Sequence, residues 1–97
     1  MSSKANNDKQ VSEEATQKIF IVSENWVFCG EPEMSGDQYV RLRNCYNIRV
    51  WGTTQGLGEL ALKGAQSETV LDFYGVVTLP VAHILGVIEC AVEIKPK

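Results

Sequence analysis

The stretch "YVRLRNCYNIRVWG", residues 39–52, sets three arginines (Arg41, Arg43, Arg49) among three aromatics (Tyr39, Tyr46, Trp51). Its alternation decides the fold class. In "YVRLR", Val40 and Leu42 alternate with Tyr39, Arg41 and Arg43, the period-2 pattern of a half-buried strand. Asn44-Cys45 breaks that register, and "YNIRVW" resumes it with Tyr46, Ile48 and Val50 against Asn47, Arg49 and Trp51. Paired as a hairpin, residues 39–43 and 46–51 would share one outward face carrying Tyr39, Arg41, Arg43, Arg49 and Trp51. Three readings of that face stay open. Arginine and aromatics are enriched at protein-interface hot spots, the same mixture suits stacking on single-stranded nucleic acid, and arginine stems can simply cover aromatics on a solvated sheet.

The flanks carry the same punctuation. "KIFIVS" is an apolar, β-branched first strand, followed by a turn at Ser23-Glu24-Asn25. "WVFCGEP" sets Val27 and Cys29 on one face and Trp26 and Phe28 on the other, and Pro32 ends the strand or marks a sheet edge. "MSGDQ" is a turn with Gly36-Asp37 at its tip. "GLGELALKG" changes period: Leu57, Leu60 and Ala61 fall at i, i+3 and i+4, which predicts a helix of about two turns near residues 56–63, stopped by Gly64. Strand patterns return in "TVLDFY", in "GVVTLP" before a bend at Pro80, and in "VIECAVEI", where Ile88, Cys90, Val92 and Ile94 share a face. Seven strand-like segments and one helix predict a mainly β (α+β) domain. Its expected form is a small twisted antiparallel sheet or partly open barrel.

Composition bounds the rest. The 97 residues, 44% hydrophobic and 22% charged, suit one small globular domain. Residues 1–17, "MSSKANNDKQVSEEATQ", hold only Met1, Val11 and two Ala as apolar residues, so a disordered polar tail is expected, with a helical turn at Ser12–Gln17. The domain proper is expected over 18–97. No apolar run approaches the ~18–20 residues of a bilayer span, and the N-terminus has no apolar signal core, which makes a cytoplasmic, non-membrane setting the expectation. Three cysteines (Cys29, Cys45, Cys90) suit free thiols there. Residues 1–38 carry three Lys against seven Asp or Glu, so the net charge of −3 gathers in the first half. A mildly acidic chain is a poor general binder of phosphate backbones.

Specific chemistry finds little purchase. Cys29, Cys45, Cys90 and His83 form a Cys₃His set but lack the close Cys pair usual for structural zinc. Catalysis needs a nucleophile joined to a base. Cys45, beside Arg43 in a turn, is the thiol expected to be exposed with a lowered pKa, and nothing ties it to His83, the single histidine. "WGTTQGLGELA" places Gly52, Gly56 and Gly58 with Thr53 and Thr54 before a helix, but without the P-loop lysine, and Glu59 would repel a phosphate. No metal, cofactor or enzymatic activity is expected.

The run "VRLRNCYNIRVWGTTQGLGELALKG" resembles a family of small uncharacterised proteins of tailed bacteriophages and prophages, through Val40, Leu42, Asn44, Ile48, Trp51, Leu57, Glu59, Leu60, Ala61 and Gly64. "VTLPVAHILGVIECAVEI" is similar to that family's closing segment, and the likeness covers about residues 18–94. The chain departs from the family at Tyr46-Asn47, where an Arg-Arg doublet is usual, and at Arg49, near which the family has another aromatic. The resemblance implies a phage or mobile-element origin and a host-cytoplasm location. The expected function is a non-enzymatic binding protein that occludes a host protein, as an anti-defence or anti-CRISPR inhibitor does. The alternatives are a homo-oligomeric structural or ligand-sequestering module and a weak nucleic-acid accessory protein. Tyr39, Arg41, Arg43, Arg49 and Trp51 are the expected contact residues.

Overall fold

A computed structural model describes residues 17–96. Expectations for residues 1–16, including all but the last residue of the turn expected at Ser12–Gln17, lie outside the described residues. Among the described residues the chain forms five strands, β1 (Lys18–Val22), β2 (Trp26–Ser35), β3 (Tyr39–Val50), β4 (Val70–Pro80) and β5 (Ile84–Glu89). One helix, α1 (Leu57–Lys63), lies between β3 and β4. All pairings are antiparallel, in the order β4-β3-β2-β1-β5, so the molecule is a mainly β open sheet with one short helix. No helix among the described residues is long and apolar enough to cross a membrane.

Five strands stand where seven segments were expected, because two breaks are kinks and not turns. "YVRLR" and "YNIRVW" do not pair as a hairpin; they are consecutive parts of the twelve-residue β3. Asn44 adopts φ 50 and, near it on β4, Gly75 adopts φ 84. These left-handed residues bend both strands without ending them. The β2–β3 register slips there by one residue, between Cys29 and Glu31, the mark of a β-bulge. Gly30 permits the close approach, since a Cβ at that position would lie 3.1 Å from Leu42 Cβ and 3.3 Å from Cys45 Cα.

Gly30, Asn44 and Gly75 therefore form a crease across three strands. A flat five-strand sheet would hold β4 and β5 roughly 19 Å apart at ~4.8 Å per strand. Yet only the 3₁₀ turn Val81–His83 joins these two outer strands, and such a turn rises ~2 Å per residue. The sheet must curl, and it does so at the crease. Inside the curl, Phe20, Val22 and Phe28 pack with Val40, Leu42, Cys45 and Leu79. On the opposite face, Leu57, Leu60 and Ala61 of α1 cover Ile19, Val27, Cys29 and Ile48, together with Cys90 and Ile94.

Three further boundaries follow from hydrogen bonding. Pro32 sits within β2, opposite Leu42 but beyond the last β1 pair, Lys18↔Gly30. There β2 is an edge, where a missing N–H costs no ladder bond. The closing strand is Ile84–Glu89, not the expected "VIECAVEI". After Cys90 the Ala91 and Val92 N–H groups donate to the Ala61 carbonyl (2.7 and 3.4 Å), so the chain leaves the sheet to follow α1. Val92 is accordingly 37% exposed. Gln17, placed by its composition in the polar tail, is buried and clamps Ile94: Nε2 donates to its carbonyl at 3.0 Å and Oε1 accepts from its N–H at 2.6 Å.

Candidate functional site

The bulge at Asn44-Cys45 divides the arginine-aromatic stretch between two faces. Arg41 and Arg43 alternate with buried Val40 and Leu42, so they lie on the outer side of the curl with Tyr39. Beyond the bulge the sides exchange. Asn47 stands opposite Phe28 on β2 and Asp72 on β4, so Arg49, two residues on, projects on the inner side. Trp51 follows the end of β3, is 43% exposed, and its carbonyl accepts from Thr69 Oγ1 at 2.7 Å. The five expected contact residues thus form no single surface.

The outer group is a charge-matched sheet face. Arg41 lies 3.7 Å from Glu33, and Arg43 lies 3.6 Å from Glu31 and 3.5 Å from Glu33. These half-exposed pairs add little stability, about 0–1 kcal/mol each. They do cancel the positive field that a phosphate backbone would need.

The inner side carries a continuous aromatic strip. Trp26 stacks on Phe28 with centroids 5.7 Å apart and planes 3° from parallel, and Tyr74 meets Phe28 edge-on at 5.8 Å. Offset stacks and T-shaped pairs are the favoured aromatic geometries. Phe28 is buried, whereas Trp26 (45%) and Tyr74 (48%) face solvent on top of it. Asp72, two residues before Tyr74, binds Arg49 through two hydrogen bonds, Nε–Oδ2 at 2.7 Å and a second nitrogen to Oδ1 at 3.3 Å. The Asp72 hydrogen bond, then its charge, holds the Arg49 guanidinium above its ordinary pKa. On the other side of the sheet Phe73, largely exposed, meets Tyr46 edge-on at 5.2 Å. Trp26, Phe28 and Tyr74 escaped the sequence reading as a site. The signal was present in the alternations W-V-F and D-F-Y, but only the β2–β3–β4 register brings them together.

The catalytic and metal readings meet a different geometry. Cys29, Cys45 and Cys90 are all buried, free thiols. Burial, with the neighbouring Cys45 and Cys90, pushes Cys29 up to about 12. Burial alone pushes Cys45 up to about 12, and it raises Cys90 to about 11 despite Lys18 nearby. The expectation of an exposed, activated Cys45 is therefore corrected: the bulge turns it inward, away from the solvent and from Arg43. His83 lies exposed on the β4–β5 turn, its Nδ1 3.1 Å from Ser23 Oγ. That contact pins the β1–β2 turn, in which Glu24 and Asn25 hold φ 65 and 70. Among the described residues no carboxylate bonds to His83, and no cluster of three metal-ligating side chains forms.

The glycine-rich loop before α1 is occupied by the protein itself. Glu59 Oε1 accepts from the Thr54 N–H (3.0 Å), the Gln55 N–H (3.0 Å) and the Thr54 hydroxyl (3.4 Å). Gly56 N–H donates to Thr53 Oγ1 at 3.0 Å. The donors that would cradle a phosphate thus hold an internal carboxylate. No family model, curated protein or solved structure matches the chain.

Proposed function

We propose that this chain is a non-enzymatic binding protein of phage or mobile-element origin that occludes a host protein, and that Trp26, Tyr74 and Arg49 make the contact. The observation that carries this reading is the exposed aromatic strip, with the Arg49–Asp72 pair on the same side of the sheet. Tryptophan, tyrosine and arginine dominate interface hot spots because they offer large area at little conformational cost. Here buried Phe28 fixes both solvent-facing rings before any partner arrives, and Asp72 fixes the arginine. Such preorganisation lowers the ordering cost of binding. The outer stripe of Tyr39, Arg41 and Arg43 is assigned a solvating role because carboxylates already neutralise it. The origin rests on the resemblance over residues 40–64.

The test is affinity capture from a bacterial lysate with three chains: wild type, Trp26→Ala/Tyr74→Ala and Arg41→Ala/Arg43→Ala. The expected outcome is one host protein retained by the wild type and by the arginine variant and lost with the aromatic variant. Retention by the aromatic variant with loss from the arginine variant would move the contact to the outer face. Capture of nothing by the wild type would overturn the binding role.

A further inference from the structure

We propose that the aromatic strip recognises a cation: the partner presents a basic segment whose arginine lies over the exposed ring of Trp26, beside the carboxylate of Glu24. This rests on the binding role proposed above and names the chemistry of its partner. Indole attracts a cation more strongly than the other aromatic rings, because its π-face carries the negative part of the ring's quadrupole. Trp26 is 45% exposed and lies parallel to buried Phe28, which fixes its plane. Tyr74, 48% exposed and packed edge-on against the same Phe28, offers a second ring.

Charge selects this occupant. Lys18, Arg41, Arg43 and Arg49 are each committed to a carboxylate of the chain itself. Lys63 and Lys95, which make no ion pair among the described residues, line a hollow with Glu93 at the C-terminal end of α1, on the face opposite the strip. Carboxylates without an ion pair among the described residues gather at the strip's end of the sheet instead. Phe28 pairs with Asn47, and Val50 with Val70, so Trp26, Arg49 and Glu68 lie at one end. Glu68 is exposed there, its backbone pressed against Gly52. Glu24 is exposed two residues before Trp26. Arg49 does not oppose an incoming cation, because Asp72 takes its guanidinium through both oxygens. The strip is left with an open π-face and surplus negative charge at its rim. That combination repels phosphate and carboxylate groups and favours a guanidinium.

Arginine suits the site better than lysine. Its guanidinium is flat, so it stacks on a ring while its edge N–H groups still reach a carboxylate. A lysine ammonium is more strongly hydrated and gives up more water to sit on a ring. Glu24 is the carboxylate for that edge, since the Ser23–Asn25 turn holds it next to the start of β2. His83 steadies this turn through its 3.1 Å contact with Ser23 Oγ. Exposed contacts of this kind each change affinity about two- to fivefold, so the strip selects the partner's charge more than it sets the strength of the complex.

An acetylated, amidated hexa-arginine peptide is the probe, titrated to about 5 mM into the full chain at low salt. NMR reads the indole N–H signals of Trp26 and Trp51, and Trp26→Phe, which removes one of them, assigns both. The expected result is a saturable shift of the Trp26 signal that weakens with added salt. Hexa-citrulline, of the same shape without the charge, and hexa-glutamate should leave that signal in place. Glu24→Gln should weaken hexa-arginine binding about two- to fivefold. Glu93→Gln, the same loss of charge on the α1 side, should not. A Trp26 signal that hexa-arginine does not move overturns the proposal. So does an equal response to hexa-citrulline, or a Glu93→Gln effect as large as that of Glu24→Gln. The peptide comparison uses the wild type alone, so it stands even if a variant misfolds. Each of these failures leaves the lysate capture able to succeed through Trp26 and Tyr74, which separates the cation preference from the binding role itself.

Discussion

Cys45 shows how one bulge sets a residue's chemistry. Beside Arg43 in a turn it would be an activated thiol; turned into the core of the curl it is inert. All three thiols should resist a water-soluble alkylating reagent in the native protein at neutral pH and react fully once it is denatured. The same burial gives a pH dependence. The folded values, about 11 to 12, lie above the ordinary value of 9.0. Below pH 9 the thiols are protonated in both states, so stability does not depend on them there. Above pH 9 the unfolded chain loses protons that the folded chain keeps, so stability falls as pH rises toward 12. Thermal melts between pH 7 and 11 should be level to about pH 9 and then decline, and Cys29→Ala should shallow the decline. Gly30 is the second decisive residue. Gly30→Ala would press a methyl against Leu42 and the β3 backbone, at an expected cost of about 1–3 kcal/mol in urea unfolding.

Secondary-structure elements were legible in proportion to how local their signals are. Helix α1 has its expected span and buried stripe because Leu57, Leu60 and Ala61 encode it within two turns. The alternation of Val40 and Leu42, and of Ile48 with Arg49, also gave each half of β3 correctly. What the pattern does not distinguish is a turn from a bulge. Both use a residue such as Asn in the left-handed region between two alternating runs. Reading Asn44-Cys45 as a turn placed Arg49 on the wrong side of the sheet, and the candidate site moved with it. Glu59 carries a comparable lesson: its first-turn position was plain, but its three loop partners were not. Glu59→Ala should cost about 1–2 kcal/mol by releasing the Thr54 and Gln55 N–H groups. Glu59→Gln, which keeps an acceptor without the charge, should recover part of that loss in the same unfolding assay.

At the scale of the molecule, the curl separates three surfaces with different chemistry. The outer face is charge-matched, the inner side bears the aromatic strip, and the open side presents a groove lined mostly by apolar side chains such as Phe20 and Met34. None of this partition was visible in spacing, because it depends on pairings between distant residues. The clearest case is Gln17 and Ile94, 77 positions apart. Gln17→Ala would leave the buried N–H and C=O of Ile94 unpaired, at an expected cost of about 1–3 kcal/mol. Loss of protection over residues 90–94 in hydrogen exchange would locate the damage. This partition of surfaces depends on β3 being one creased strand, since that places Arg41 and Arg43 on the face opposite Arg49. Cross-strand NOEs measure this most directly. The expected contacts join Arg41 to Glu33 and Thr78, and Tyr46 to Cys29 and Phe73. Contacts between residues 39–43 and 46–51 would instead mean a hairpin with all three arginines on one face, and would contradict both the fold and the site.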